Sequence, residues 1–459
     1  MSNQIVTVNV TQSIAAAPST LQRTGVFISQ GGTTLTAGTF SLLTQLSSLT
    51  PLLAGAQAIT SMSWASNLVT VTTTAPHGFP NGDVLPVTIS GVVPAGYNGT
   101  FTATITGAST FTFPLASSPG TVTTQGVVTD VDVAELTAMN TTFFAQGGSA
   151  SVYVLELGEG TAAQGVTALT AYMAANPLQF YSYLVPREWG SEPTFPALIA
   201  SYESTTAKQY FFVTVTQSNY SNFTALMKNV YMAIEAPTIP VTEFSLAATF
   251  YVTLNYNPSS TTPVPPLCFS FLSGVTPYPT AGNSSLLATF KAANVNYVST
   301  GAEGGISNAM IKWGTMCDGN PFNYWYSVDW MQINVDLNVA NAVINGSNNS
   351  LAPLYYDQPG VDRLQIVSQS IAQQGVSNGL ALGPVTATAL SPAAFAALLT
   401  SGNAPIGVIV NAVPFVTYVT QNPANYPLGI YGGLSISYTP ARGFTSIIFN
   451  VNVSNFVVI

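Results

Sequence analysis

Charged side chains are scarce in this sequence, and that scarcity limits what the protein can be. Only 5% of its 459 residues are Asp, Glu, Lys or Arg, whereas about 25% is typical of soluble domains. Thr, Ser, Asn, Gln and Gly take the polar positions instead. Because a protein that stays soluble as a monomer usually keeps a well-charged surface, this composition favours a chain that buries much of its surface against neighbouring copies.

Basic residues are the rarer charge type, with 8 Lys and Arg against 17 Asp and Glu and a net charge of −9. No run of three basic residues occurs, which argues against a nucleic-acid partner because phosphate binding needs clustered Lys and Arg. No stretch of about 18 uninterrupted apolar residues occurs either, so no membrane insertion is expected. The first four residues lack the pattern of a signal peptide, and we expect synthesis in a host cytoplasm.

Histidine and cysteine are almost absent, which removes the usual metal ligands and nucleophiles. His77 is the single histidine, and its Pro-His-Gly-Phe setting predicts a residue in a surface turn. Cys268 and Cys317 predict ordinary buried thiols, with a disulfide between them left open. Neither a His/Cys metal site nor a Ser–His–Asp arrangement has its members here, and no cofactor is expected.

Carboxylates are the remaining candidates for acid–base chemistry. Paired carboxylates can act as acid and base, but the spacing of these candidates does not distinguish catalysis from helix caps and solvated loops. We therefore predict that the protein is not an enzyme and has no catalytic, metal or cofactor-binding residues. The candidates are Asp318, Asp329, Asp336, Asp357 and Asp362.

The two ends of the chain share one strand pattern, in which β-branched or aromatic residues alternate with small polar ones. Alternation with period two predicts strands. We interpret both as inter-subunit strands, because an unpaired terminal strand is prone to aggregate unless a partner pairs it. The N-terminal strand carries Ile5, Val6, Val8 and Val10, and the C-terminal strand carries Ile447, Phe449, Val451 and Val453.

A Thr- and Val-rich segment at 58–129 differs in texture from its surroundings. Five short alternating runs, at 68–73, 87–89, 101–105, 110–113 and 121–128, are separated by turns about ten residues apart. They predict a small all-β barrel or sandwich. Residues 42–53 before it predict a helix or helical turn.

The segments around this module alternate strands with helices, which predicts an α/β layer with a parallel or mixed sheet. The fold class is therefore α+β or α/β, multidomain, with a mixed-sheet core, an inserted all-β module and extended terminal strands. The predicted parts are an N-terminal linking arm (1–20), an α/β domain (21–57 and 130–235), the inserted surface domain (58–129), an intermediate domain (236–300), a C-terminal domain (301–440) and a C-terminal linking arm (441–459).

The C-terminal half is described by two helices and an aromatic run. Apolar spacing of about four predicts helices at 326–344 and 362–374, and the segment 244–254 fits a helix or a strand. The run Phe-Asn-Tyr-Trp-Tyr at 322–326, which leads to Trp330, fits a carbohydrate-binding platform. Aromatic residues at the head of a helix are more typical of a core or an interface, and we favour that interpretation.

Three places in the chain resemble the tail sheath proteins of contractile-tailed phages. The first joins the N-terminal strand, Ala-Ala-Ala-Pro at 15–18 and the strand at 25–28. The second is a helix ending in Phe-Phe-Ala-Gln-Gly-Gly at 143–148, followed by the strand at 152–154. The third is the segment 325–344, with Asp329 and Trp330 at the head of its helix. The inserted module is similar to small β-domains of phage tail and surface proteins.

The resemblance implies a structural virion protein, a subunit of a helical contractile sheath that surrounds the tail tube and drives it through a host envelope. It implies a homo-oligomer in a helical tube or stacked rings, with the inner tail tube protein and the baseplate and tail terminator proteins as further partners. Assembly by strand donation from both termini follows as an expectation. The alternatives are another virion component (tail tube, spike or capsid decoration) and a carbohydrate-binding surface protein.

Overall fold

The structure is a computed structural model. It describes residues 20–446 apart from 78, 80, 83, 159, 205, 224–227, 241, 279–283, 302–306 and 403–404. Its first two strands are β1 (Gly25–Ser29) and β2 (Phe40–Leu43). Both belong to one sheet, and the next six strands along the chain are inserted before the remaining strands of that sheet. Those six are β3 (Gln57–Ala65), β4 (Leu68–Thr73), β5 (Val84–Ser90), β6 (Gly99–Gly107), β7 (Thr110–Pro114) and β8 (Val127–Asp130).

The six inserted strands close into an antiparallel barrel in the order β3-β4-β7-β6-β5-β8. Alternate residues point inward, such as Val69 and Val71 on β4 and Phe111 and Phe113 on β7, all completely buried. Threonines cover the outside in cross-strand pairs. The predicted all-β insertion is thus confirmed, and of the two predicted forms it is the barrel.

The alternation pattern did not predict one of the barrel strands. The structure has six strands where five were predicted, and the additional one is β3. A bulge between Ile59 and Ser61 shifts its register, so its buried residues, Ile59 and Met62, are three apart rather than two. A bulge removes the period-two signal on which strand prediction depends.

His77 is not the surface turn residue that the sequence predicted. Its side chain is buried, with the ring stacked on Phe79 at 4.7 Å between centroids and edge-on to Phe111 at 5.9 Å. The Phe79 amide donates to its Nδ1 at 3.2 Å. His77 packs against the apolar interior of the barrel. It is therefore part of the core, although its sequence neighbours are typical of a surface turn. Burial lowers the pKa of this imidazole.

After the barrel the chain builds the α/β body. Its elements, in order, are α1 (Val131–Phe144), β9 (Val152–Glu156), α2 (Ala162–Ala175), β10 (Ser182–Leu184), α3 (Thr194–Ser201), β11 (Tyr210–Val215), β12 (Val230–Ile234) and α4 (Ser245–Leu254). The sheet has the order β12-β11-β10-β1-β9-β2, parallel except for β2. Helices cover both faces, and every residue of β11 and β12 is buried for that reason.

Two segments next to this sheet, 42–53 and 244–254, were assigned from sequence as a helix or helical turn and as a helix or strand. The segment 42–53 is not a helix: Leu42 and Leu43 belong to β2, and only two 3₁₀ turns follow, Leu46–Ser48 and Thr50–Leu52. Pro51 lacks the amide donor that a continuous helix would need there. The ambiguous segment 244–254 is the helix α4, which packs so tightly on the sheet that a Cβ added to Gly25 would lie 2.4 Å from Leu254.

A small sheet and a helical region complete the chain. The small antiparallel sheet has the order β13-β15-β14, from β13 (Phe271–Leu272), β14 (Tyr297–Ser299) and β15 (Ala309–Lys312), with α5 (Ser284–Ala292) before β14. The remaining elements are α6 (Phe322–Asn348), α7 (Gln358–Ser377), β16 (Val385–Thr388), α8 (Pro392–Thr400), β17 (Val408–Ala412), α9 (Phe415–Gln421) and β18 (Leu434–Tyr438). The two predicted long helices are confirmed, and both extend beyond their predicted ends.

The long helix α6 shares its core with the six-stranded sheet. One hydrophobic cluster joins Phe27 of β1, Phe143 of α1 and Phe250 of α4 to Phe322 and Tyr326 of α6. Both cysteines are free thiols, and Cys317 is buried. None of the helices in the described ranges is long and apolar enough to cross a membrane. The first turns of α6 are therefore fixed against the α/β body, which places the features described next.

Candidate assembly site

The eight residues predicted to link subunits lie outside the described residues. They are Ile5, Val6, Val8, Val10, Ile447, Phe449, Val451 and Val453. The structure does describe residues close in sequence to those segments. We call residues 20–24 the N-terminal root and residues 440–442 the C-terminal root.

The N-terminal root is a 3₁₀ turn pinned to α6. Leu21 is buried in the main core, and Gln22 beside it is buried as well. The Gln22 Nε2 donates to the Tyr326 carbonyl at 2.8 Å and to the Tyr181 hydroxyl at 3.4 Å. A buried amide that is bonded to both helix and sheet fixes residues 21–23 in place.

The C-terminal root is held by the residues just before and at the start of the same helix. The Asn323 Nδ2 donates to the Ala441 carbonyl at 3.0 Å, and the Ala441 amide donates to the Leu380 carbonyl at 2.9 Å. Arg442 donates from Nη2 to Asn320 Oδ1 at 2.7 Å and lies over the Tyr324 ring at 4.9 Å. Both roots therefore lie beside the first turns of α6.

The aromatic run at the head of α6 is a core element rather than a platform. Phe322 and Tyr326 are each 1% exposed and belong to the main core, whereas Tyr324 and Trp325 are half-buried. The Trp325 indole donates to Asp318 at 2.9 Å, and the Lys228 ammonium lies over its ring at 4.3 Å. The run joins the two roots to the α/β body.

One turn further along α6, Asp329 anchors the helix to the sheet. Its Oδ2 accepts hydrogen bonds at 2.8 Å from the hydroxyls of both Tyr181 and Tyr210. The carboxyl is completely buried, and burial raises its pKa, although Lys228 and Lys208 act in the opposite direction. Because Tyr181 also accepts from Gln22, a hydrogen-bonded path runs from the N-terminal root to the centre of the body.

The other acidic candidates do not converge on one point. Asp318 accepts from Asn320 and Trp325, Asp357 caps α7 through the Gly360 amide, and Asp362 accepts from Gln358. Burial raises the pKa of Asp336. Within the described residues no group of three or more His, Cys, Asp or Glu side chains could hold a metal ion. Asp318, Asp357 and Asp362 instead cap a helix or fix local structure.

The last sheet has three strands in the described part of the chain. Its order is β16-β17-β18, so within the described residues β16 and β18 each have one strand neighbour. Side chains on both are half-exposed for the most part, and β18 ends only four residues before Arg442. Outer edges of this kind can accept an additional strand.

The roots have only weak signals in the sequence. Gln22, Asn323 and Arg442 follow no periodic pattern, and their partners are 118 to 304 positions away. The one available signal was composition, because Arg442 is a charged residue in a region that otherwise has none.

The chain is similar to known proteins in structure but not in sequence. No family model matches the chain, and no curated protein matches it. Among solved structures, a chain of the six-fold symmetrised baseplate of the anti-feeding prophage aligns over 99% of both chains, with a TM-score of 0.52 and 13% identity. This chain has the fold of that baseplate chain.

Two further structures align over most of their length with lower scores. The contracted helical sheath of the same particle covers 99% of this chain and 100% of its own, with a TM-score of 0.49 and 10% identity. A sheath tail protein from Listeria innocua covers 92% of this chain and 97% of its own, with a TM-score of 0.40 and 10% identity.

Proposed function

We propose that this chain is a structural subunit of a contractile tail sheath, which assembles with its own copies into a helical tube or stacked rings. The observation that carries the proposal is the end-to-end likeness to a chain of a six-fold symmetrised baseplate, with 99% of both chains aligned. The sequence resemblance to sheath proteins at residues 5–28, 143–154 and 325–344 supports it. So does the scarcity of charge, since extensive burial between copies is easiest for uncharged surfaces.

Strand donation from both termini is the proposed link between copies. Ten residues in a strand span roughly 33 Å, enough to reach an adjacent subunit. Among the described residues, β16 and β18 each pair on one side only, and the other side of either strand is the proposed acceptor of a donated strand. Both roots are pinned beside the head of α6, so a pull on either segment acts on the same rigid point. Repeated head to tail, such a contact does not close and builds a helical array.

Contraction follows from this arrangement. The body keeps its shape because α6 and the sheet share one core, while the terminal segments remain paired and act as hinges. An extended lattice that relaxes into one with more buried surface supplies the work. The inner tail tube is the proposed partner inside the sheath, with baseplate and terminator proteins at its two ends and the phage tail as the location.

A baseplate ring is the second candidate function. It is favoured by one observation, namely that a structure with which this chain aligns at a TM-score of 0.52 is a baseplate. A ring subunit would use the same fold and the same terminal links, but its contacts would close after one turn rather than continue along an axis.

Negative-stain microscopy of the purified full chain tests the proposal. Tubes or stacked rings support the sheath, and single closed rings that never stack support the baseplate candidate. A stable monomer at high concentration would contradict both, because a chain with so little charge would then have no partner to bury its surface.

The linking role of the C-terminal segment is tested by a matched pair of variants. Val451→Pro removes one backbone donor and forbids a ladder hydrogen bond, whereas Val451→Thr keeps the β-branched shape and the donor. We expect tubes from Val451→Thr and only short or no assemblies from Val451→Pro. Deletion of residues 447–459 should match the proline variant. Unchanged assembly after the deletion would show that this segment is not a link.

A further inference from the structure

One end of the inserted barrel, where β4 ends and β7 begins, is lined by aromatic rings that include the single histidine of the chain. His77 and Phe79 are each 8% exposed, and Phe111 on β7 is completely buried. The imidazole contacts both phenyl rings, which also contact each other at 6.4 Å between centroids. We call these three residues the rim cluster. Their packing covers the apolar interior of the barrel at this end.

Backbone hydrogen bonds join the connection between β4 and β5 to the β6–β7 hairpin. The His77 amide donates to the Ala108 carbonyl at 3.0 Å, and the Gly82 amide donates to the Ile105 carbonyl at 2.9 Å. The connection is therefore held partly by these bonds and partly by the rim cluster. Connections between strands open locally at a lower free energy than the strands that they join.

The hydrogen bonding of His77 determines where an added proton must bind. Its Nδ1 accepts from the Phe79 amide at 3.2 Å, so the neutral ring carries its proton on Nε2. A second proton has to bind Nδ1, and a protonated Nδ1 cannot accept from that amide. Protonation therefore breaks the bond that joins His77 to Phe79, and it places a charge against two phenyl rings.

No carboxylate in the described part of the chain lies on the imidazole to balance that charge. The residues packed around the ring contain no titratable group, and they are Phe79, Gly107, Ala108, Thr110 and Phe111. Burial lowers the pKa of His77, although the carbonyls of Thr110 and Gly107 act in the opposite direction. The segment 58–129 has one further charged residue, Asp83, which is outside the described residues. A buried imidazolium is costly, and contact with an aromatic face returns only part of the cost.

Carboxyl groups of the α/β body respond to acid in the opposite direction. Burial raises the pKa of Glu188 to about 7, with the carboxylates of Glu135, Asp130 and Glu192 acting in the same direction. Burial also raises the pKa of Asp132. The charged groups around Asp132 are Asp130, Glu135, Glu188 and Glu156. A carboxyl group with a raised pKa holds a proton that the unfolded chain has lost, so the body gains stability as pH falls from 7 towards 5.

We propose that acid opens this end of the barrel while the α/β body stays closed, with His77 as the group that takes up the proton. The protonated ring releases the Phe79 amide, and the rim cluster separates and exposes its phenyl rings. Opening can remain local because the barrel has a hydrophobic cluster of its own, distinct from the two clusters of the body. This inference concerns the inserted barrel and does not depend on the function proposed above.

Hydrogen exchange of the dilute, unassembled full chain at pH 7 and pH 5, corrected for intrinsic exchange rates, tests the switch. In the wild type, the amides at 105–113 should exchange at least about fivefold faster at pH 5, the effect of losing one hydrogen bond. The amides of β11 and β12 should exchange no faster.

Two variants that cannot take up the proton isolate the role of His77. His77→Asn keeps an oxygen acceptor close to the position of Nδ1, and His77→Phe keeps the ring stack on Phe79. Both should remove the pH dependence at 105–113. Val84→Thr, at an exposed barrel position, is the control and should behave as the wild type does.

Three results would overturn the proposal. Equal exchange of the wild-type amides at 105–113 at the two pH values would show that acid does not open the rim. The same pH dependence in the His77 variants would assign the effect to another group, and if one variant does not fold, the other makes this comparison. Faster exchange of β11 and β12 together with the rim at pH 5 would mean that acid unfolds the whole chain.

Discussion

Removing the hydroxyls around Asp329 should loosen α6 from the α/β body. Tyr181 and Tyr210 each donate to the same carboxylate oxygen at 2.8 Å. A hydrogen bond to a charged group contributes about 1.5–3 kcal/mol to stability, so Tyr181→Phe and Tyr210→Phe should each cost about that much. The double variant should cost less than the sum, because a carboxyl without donors takes up a proton instead of remaining a buried charge.

A triple variant with Asp329→Leu in addition should recover much of the loss. The cluster would then contain no buried polar group that needs a partner, and apolar replacements of buried polar clusters are often neutral or stabilising. Urea unfolding of the dilute, unassembled protein gives the free energies, and hydrogen exchange of the amides at 322–333 reports the local effect. Single variants within about 0.5 kcal/mol of wild type, with unchanged exchange, would refute the claim that this cluster holds α6.

Three further predictions concern titration and the roots. Burial raises the pKa of Asp329, so the folded state keeps a proton that the unfolded state loses, and stability should fall as pH rises from 3.8 through the folded pKa. Asp132, Glu135 and Glu188 contribute in the same direction, so Asp329→Asn should reduce the slope in pH-dependent urea unfolding, and an unchanged slope would contradict it. Burial lowers the pKa of His77, so the unfolded state takes up a proton first as pH drops below 6.5 and stability should fall there; His77→Phe should flatten this dependence, and a histidine that titrates normally by NMR would rule it out. Arg442→Ala removes a hydrogen bond and a ring contact at the C-terminal root, at a cost of about 1 kcal/mol; assembly measured by sedimentation should weaken while the melting temperature of the body stays within a few degrees, and a large loss of melting temperature would mean that the residue is structural.

Much of the fold could be predicted because it depends on local pattern. The long helices carry apolar residues at helical spacing, and the barrel strands alternate over Thr and Val with turns between them. The pattern failed where local geometry departs from regular structure. The bulge at Ile59 concealed β3, and Pro51 limited the segment after β2 to 3₁₀ turns.

The assembly site was less predictable, for a different reason. Alternation predicts the terminal strands, but the roots depend on contacts between residues far apart in sequence. Gln22 reaches Tyr326, and Asn323 reaches Ala441, and no window of sequence contains both members. His77 shows the same limit: its tight turn is legible in the sequence, but its burial against Phe111 depends on how the barrel closes.

A helical reconstruction of the assembled protein by electron cryomicroscopy tests the central claim most directly. The account predicts that the terminal segments of one copy lie along a sheet edge of another copy, hydrogen-bonded as an added strand. Terminal segments that pair only within their own chain, in an assembly held together by other surfaces, would contradict it.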